Sequence, residues 1–467
     1  MSRLNLYARI GFLAAVLLVS SRGVAQTQTP PMSRGESRGI FGYDTTADFV
    51  AFDPQFLEKR RKYLKELREL QLELARQTAG GRATPCSRQI FLEARWLTYS
   101  AQWQRIERRL HDLREMLARP ADPADARDQV EADGGYDHCS ESWFLKLDAT
   151  LEEIEDRASR GEKPKFPLKL LDRVNSPEKL RGYLDSILIS DVRHTGIDNR
   201  FELNIAITAI DRLITGELGD VYPFDPALKQ ALLDYEDNHW QNPETGYWGA
   251  WYKQENGEIR KTSDLSVTFH IISYRHNDLK RIPGMIRTTL AFKDLEYPFG
   301  WLEEGKKSNH HNYAVVRLFR ICWPSMSEDQ RELARAEMRR MIDFCLNETL
   351  NADGSFKLMD EDTVGSSYMF PVQLLDETGY FRKSRRFWTD ESFPGSREVA
   401  ERVASKIQSA GLTDTESRKA LRRLRDAERE NRRVLIVKVL AVVVLSGLGY
   451  VAIRLLLRRK RNVALAQ

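Results

Sequence analysis

The chain has 467 residues, 42% of them hydrophobic, and its 72 basic and 68 acidic side chains leave a formal charge of +4. That length calls for two or three folded units, because single domains cluster near roughly 100 to 150 residues. So small a net charge excludes a global field that would select nucleic acid or an anionic substrate as partner, and charge informs only where it clusters.

In chain order, the first segment has the parts of a secretory signal: basic Arg3 and Arg9, an apolar run from Ile10 to Val19, and small residues Gly23 and Ala25 before Gln26. Cleavage is expected after Ala25, with a polar linker over 26–53. The apolar run of about ten residues is too short to span a bilayer, which takes about twenty.

From Pro54 to Arg160 the pattern predicts long amphipathic helices. Leu92, Trp96, Tyr99, Trp103, Ile106, Leu110, Leu113 and Leu117 alternate spacings of four and three, as one continuous seam. Tyr63, Leu67, Leu70 and Leu74 keep that spacing, and so do Phe144, Leu147, Leu151 and Ile154. Gly80-Gly81 and the loop from Pro120 to Gly135 separate the three into an antiparallel bundle over 54–160. In an oxidising compartment Cys86 and Cys139 can bridge if the loop from Pro120 to Tyr136 folds back, whereas Cys322 and Cys345 read as buried free thiols.

From 164 to 390 the helices shorten and aromatics increase. Glycine-bearing turns at His194-Thr195-Gly196, Gly246-Tyr247-Trp248-Gly249, Phe299-Gly300-Trp301 and Asp353-Gly354-Ser355-Phe356 recur at roughly 50 to 55 residues. Helix starts stand between them: Asp225-Pro226, Ser263-Asp264, and Ser327 with Gln330 in the form of a capping box. Two helices per interval would make each an αα-hairpin. Gln241-Asn-Pro-Glu-Thr-Gly-Tyr-Trp-Gly249 and Asn351-Ala-Asp-Gly-Ser-Phe356 resemble the turns of the α/α toroid proteins, the architecture shared by terpenoid cyclases, prenyltransferase subunits, many polysaccharide lyases and several glycosidases. The resemblance covers about 190–390 and implies an all-α fold whose inner helix starts face a central cavity. It leaves the chemistry open.

The stretch 395–433 reads as a charged helical stalk. Val434 to Leu457 is long enough to cross a bilayer at about 1.5 Å per residue, and Arg458, Arg459, Lys460 and Arg461 follow it. With an exported amino terminus, this single span places 458–467 in the cytoplasm and the bulk of the chain outside it.

In a toroid the polar residues just after each turn would face the cavity: Lys261 to Asp264, Ser308 to Tyr313, and Asp360 to Thr363. The densest group is Asn309-His310-His311-Asn312-Tyr313. Histidine can act as acid or base near neutral pH, asparagine can bind a carboxylate and tyrosine can relay a proton. These residue types resemble those that polysaccharide lyases use beside a uronate carboxylate. Asp360 or Asp362 paired with Asp264 or Glu244 would instead suit a glycosidase. Trp248, Trp251 and Trp301 could stack on sugar, or could pack the hairpins together.

No cofactor or metal is expected. Cys322 and Cys345 lack the neighbouring ligands of a zinc site, and adjacent His310 and His311 diverge by about 100° on a helix. Phosphate loops, dinucleotide fingerprints and nucleophile elbows do not occur. The expected partners are the membrane and a carbohydrate polymer, with the 54–160 helices as a possible protein-binding surface and no nucleic acid. The alternative function is a non-catalytic binding or scaffold protein of the cell envelope.

Overall fold

The computed structural model describes most of residues 54–433, apart from 80–84, 120–127, 216–221, 359–362 and a few single or paired positions, together with Ser446, Tyr450, Val451 and Ile453. The expected signal, linker and cytoplasmic tail lie outside the described residues, as does most of the apolar segment 434–457. Among the described residues no helix is long and apolar enough to cross a membrane.

The chain is mostly helical. The principal helices are α1 Pro54–Ala79, α2 Pro85–Tyr99, α3 Trp103–Ala118, α4 Trp143–Ala158, α5 Pro177–Leu188, α6 Arg200–Ile214 and α7 Leu228–Asp234. They continue as α8 Leu265–Tyr274, α9 Ile282–Ala291, α10 Asn309–Cys322, α11 Glu328–Asp343, α12 Val364–Glu377, α13 Ser396–Ser409 and a last helix, α14, over 415–433. Both α7 and α11 end in a π-helical turn, Tyr235–Trp240 and Phe344–Thr349. Strands are short: β1 Ile189–Ser190 pairs in parallel with β2 Trp251–Lys253, which pairs antiparallel with β3 Ile259–Lys261. Leu302–Glu303 and Lys306–Lys307, β4 and β5, form a separate hairpin.

Alternate helices are neighbours: α4 packs on α6, α6 on α8, α8 on α10 and α10 on α12. The composition of α10 explains its central place, since Ala314, Val315, Val316, Leu318, Phe319 and Cys322 are all buried, so apolar side chains point to several sides. The intervening helices lie against this series: α5 on α6, and both α9 and α11 on α10. Thr363 donates to Glu416 at 2.6 Å and Arg423 meets Asp376 at 3.2 Å, while Arg418 and Lys419 reach Asp156 and Glu155. These pairs set α14 between α12 and α4. The α1–α2 hairpin spans the same circuit, touching α12 through α1 and both α4 and α6 through α2.

Two sequence expectations change here. The seam from Leu92 to Leu117 is two helices that fold back on each other, not one. Ser100 Oγ donates to the Leu97 carbonyl at 3.3 Å and Gln102 Nε2 to Ser100 Oγ at 3.1 Å, side-chain bonds that compete with the helical ladder. Both halves bury their apolar stripes, so the periodicity runs through the break unmarked. The expected stalk also belongs to the core: Val403, Ile407, Leu412, Ala420, Leu424 and Ala427 join one apolar cluster that begins at Tyr63.

The α2–α3 hairpin is fixed to the loop before α4 by the Cys86–Cys139 disulfide, with Cα atoms 5.4 Å apart, so the loop does fold back. Cys322 and Cys345 are free and buried. Beside the bridge, the fully buried Glu93 carboxylate accepts from Ser142 N at 2.9 Å and Ser142 Oγ at 2.6 Å, and pairs with Arg109. Glu93→Ala would leave the buried Arg109 charge only its longer contacts to Asp112, at 3.2 Å, and Glu141, at 3.9 Å. A loss of about 3–5 kcal/mol in stability is predicted, read from urea unfolding.

A second buried group joins α6, α7 and α8. Arg275 Nη1 donates to Glu236 at 2.8 Å and Asp237 at 2.9 Å, and Asp211 lies against Glu236. Burial and the neighbouring carboxylate raise Asp211 well above the usual range; burial raises Glu236 to about 7 despite the opposing pull of Arg275. The folded state therefore holds a proton that the unfolded chain releases near pH 4. The pair's contribution to stability is fully present below that pH and is lost as pH rises through the folded value, near 7. Asp211→Asn, which mimics the protonated acid, is predicted to flatten this decline between pH 5 and 8 in thermal melts.

Candidate active site

The starts of α6, α8 and α10 carry polar residues, and they come from segments far apart in sequence. Asp264 caps α8, its Oδ1 accepting from Val267 N at 3.0 Å. The same carboxylate receives the Arg200 guanidinium from the start of α6, with Nε at 2.6 Å and Nη2 at 3.2 Å. Asp264 has no exposed surface, so this fork is shielded from water. Burial opposes the charge on Arg200, yet the Asp264 carboxylate holds its pKa above the ordinary value.

Arg200 also lies over the Tyr297 ring at 5.8 Å, and Tyr297 stacks on His311 with centroids 3.8 Å apart and planes 7° from parallel. His311 is fully buried, its Nδ1 3.3 Å from the Trp301 carbonyl. Next to it on α10, His310 is half-buried and stacks on Phe370 of α12 at 3.9 Å. The two imidazoles, with centroids 5.2 Å apart, therefore differ in burial: His311 is packed at the turn and His310 keeps part of its surface exposed.

His310 faces a residue that the sequence analysis missed. His270 on α8 is half-buried, and its Nδ1 has no hydrogen bond among the described residues. Burial, with the nearby His310, Arg212 and Arg200 charges, pushes its pKa down to about 3. Phe269 sets its edge against both His270 and Tyr313, at 5.0 and 5.3 Å. Burial raises the Tyr313 phenol, which keeps its proton. Asn309 Nδ2 donates to Thr349 at 2.9 Å, whereas the buried Asn312 Nδ2 has no hydrogen bond among the described residues.

A further polar layer joins α2, α4, α6 and α14. Arg88 reaches Glu152 at 3.3 Å and Glu416 at 2.9 Å, and Arg212 lies between Asp148 and Glu155. Burial and the Glu152 charge lift Asp148 to about 6, against the pull of Arg212 and Arg88. None of these residues stands in a motif. Their one sequence signal is polarity within otherwise apolar helical stripes.

The other expected site residues lie apart. Trp248 has no exposed surface and donates from Nε1 to the Glu236 carbonyl at 2.9 Å. Trp301 is buried edge-on against Phe319, and Trp251 lies beneath the Lys261 ammonium at 3.9 Å. All three tryptophans are therefore packing residues with no open face for a sugar. Glu244 is exposed on its turn, and Asp360 and Asp362 lie outside the described residues.

In comparison with known proteins, no protein family, curated protein or solved structure matches the chain.

The environment of His270 gives a direct measurement. In a side-chain NMR titration, His270 should stay neutral down to about pH 3, while the unfolded chain protonates near pH 6.5. Its contribution to stability is present above pH 6.5 and is lost as pH falls. His310→Ala removes one of the repelling charges and is predicted to raise the His270 value.

Proposed function

We propose that this is a membrane-anchored, extracytoplasmic protein in which α4, α6, α8, α10, α12 and α14 are the inner helices of an α/α toroid. Its cavity acts on a uronate-bearing polysaccharide by β-elimination. The observation that carries this reading is the meeting of α8 and α10 side chains: Phe269 packs against both His270 and Tyr313, and His310 is near enough to His270 to oppose its charge.

Each residue then has a role that its surroundings favour. Charge developing at the carbon beside the uronate carboxylate is spread into that carboxylate. His310, the half-buried imidazole, takes the proton from that carbon. The electron pair released forms the new carbon–carbon double bond as the glycosidic oxygen departs. Tyr313, held protonated by burial, gives its proton to that oxygen. His270, held neutral, faces His310 without competing for charge.

A glycosidase built on the acids considered above has less support. Asp264 is committed to the α8 cap and to Arg200, and Glu244 is on the outside. The compartment follows from sequence: an exported amino terminus and the apolar run 434–457.

The test is a panel of uronic-acid and neutral polysaccharides, followed by the ultraviolet absorbance of unsaturated uronate ends. Activity on at least one acidic polymer is predicted, and His310→Ala and Tyr313→Phe should each lower it by about 10²–10⁴-fold. An unmodified protein that yields no unsaturated product on any of them would sink the proposal.

A further inference from the structure

The end of the molecule where α14 approaches the apolar segment is rich in arginine. Arg317 meets Glu377 at 3.0 Å, and Arg320 and Arg385 converge on the same carboxylate. Asp376 is similarly shared by Arg382, Arg385 and Arg423. Five guanidinium groups thus surround two buried acids. Burial and the like charges of Arg385 and Arg317 push the Arg320 pKa down despite Glu377, as expected where cations outnumber anions. A cleft of about 670 Å³ opens here, lined by Arg317, Arg320 and the apolar Ile272, Leu279, Ile282 and Ile321.

Position relates this cluster to the chain's exit. Ser384 bonds Glu430, and Asn431 Nδ2 donates to the Phe381 carbonyl at 3.1 Å, so the 381–386 loop abuts the last described turns of α14. Exposed Lys383, Arg422, Arg425 and Arg433 have no ion pair among the described residues. The apolar run begins at the next residue, Val434.

We propose that this end is a docking surface for an anionic lipid bilayer, with the arginine-lined cleft receiving a lipid headgroup. The inference rests on the reading of 434–457 as an anchor, because that places the exposed cations within a Debye length of the headgroups. Guanidinium groups suit phosphate by geometry and charge, and the apolar wall suits the upper part of an acyl chain.

The experiment reconstitutes the full chain into nanodiscs of phosphatidylcholine, with or without phosphatidylglycerol, and follows hydrogen exchange at 317–325 and 381–386. Exchange should be about tenfold slower in the discs containing phosphatidylglycerol. The double variant Lys383→Glu with Arg433→Glu should lose that protection while exchange in α8 and α10 stays unchanged. Equal exchange in both lipids, or protection retained in the variant, would overturn the docking surface. So would the same protection produced by inorganic phosphate added to phosphatidylcholine discs. Failure of the chain to enter discs of either composition would overturn the anchor reading itself, and the docking surface with it.

Discussion

The bidentate pair between Arg200 and Asp264 is the constraint on which the interior depends. It joins the first residue of α6 to the cap of α8, and through Tyr297 it reaches the histidine turn of α10. A buried carboxylate is tolerable only when its oxygens are occupied, and here Val267 N and the guanidinium fork occupy them. The same saturation leaves Asp264 no free oxygen for a substrate. The side chains around it that keep some exposed surface are His310, His270 and Tyr313.

The all-α class and a few helix starts were legible in the sequence, because a cap is a local device. Ser327 and Gln330 form their reciprocal box, and Asp264 caps α8. Asp225-Pro226 marks its helix less sharply: Asp225 accepts from Ala227 N, and regular helix starts at Leu228. Glycine turns were legible where geometry demands them. Gly246 has φ 71°, and a Cβ there would lie 2.7 Å from the Arg281 carbonyl oxygen. The break at Ser100 was hidden because periodicity records burial, and both sides of the break are buried. The burial of 395–433 was hidden for the opposite reason: six small or aliphatic contacts are diluted among many charges.

The candidate site divides in the same way. His310 and Tyr313 were legible as part of a dense polar run at a helix start. His270 and Arg212 were not, since each is a single polar residue within an apolar helix and gains meaning only from neighbours brought by other helices. Arg88 and Glu416 are 328 residues apart. Local pattern carries no information about such a pairing, which exists only once the helices come round to each other. Trp248, Trp251 and Trp301 show the converse: conspicuous in sequence, they serve the packing of the turns.

The Cys86–Cys139 bridge gives the α2–α3 hairpin a pivot. Cys86 is two positions before Arg88, whose guanidinium spans Glu152 and Glu416. A covalent tie at that point means that if the hairpin swings, its far end travels and its cystine end stays. The Arg88 pairs with Glu152 and Glu416, beside the cystine, are thus the last of the hairpin's contacts that such a motion would strain.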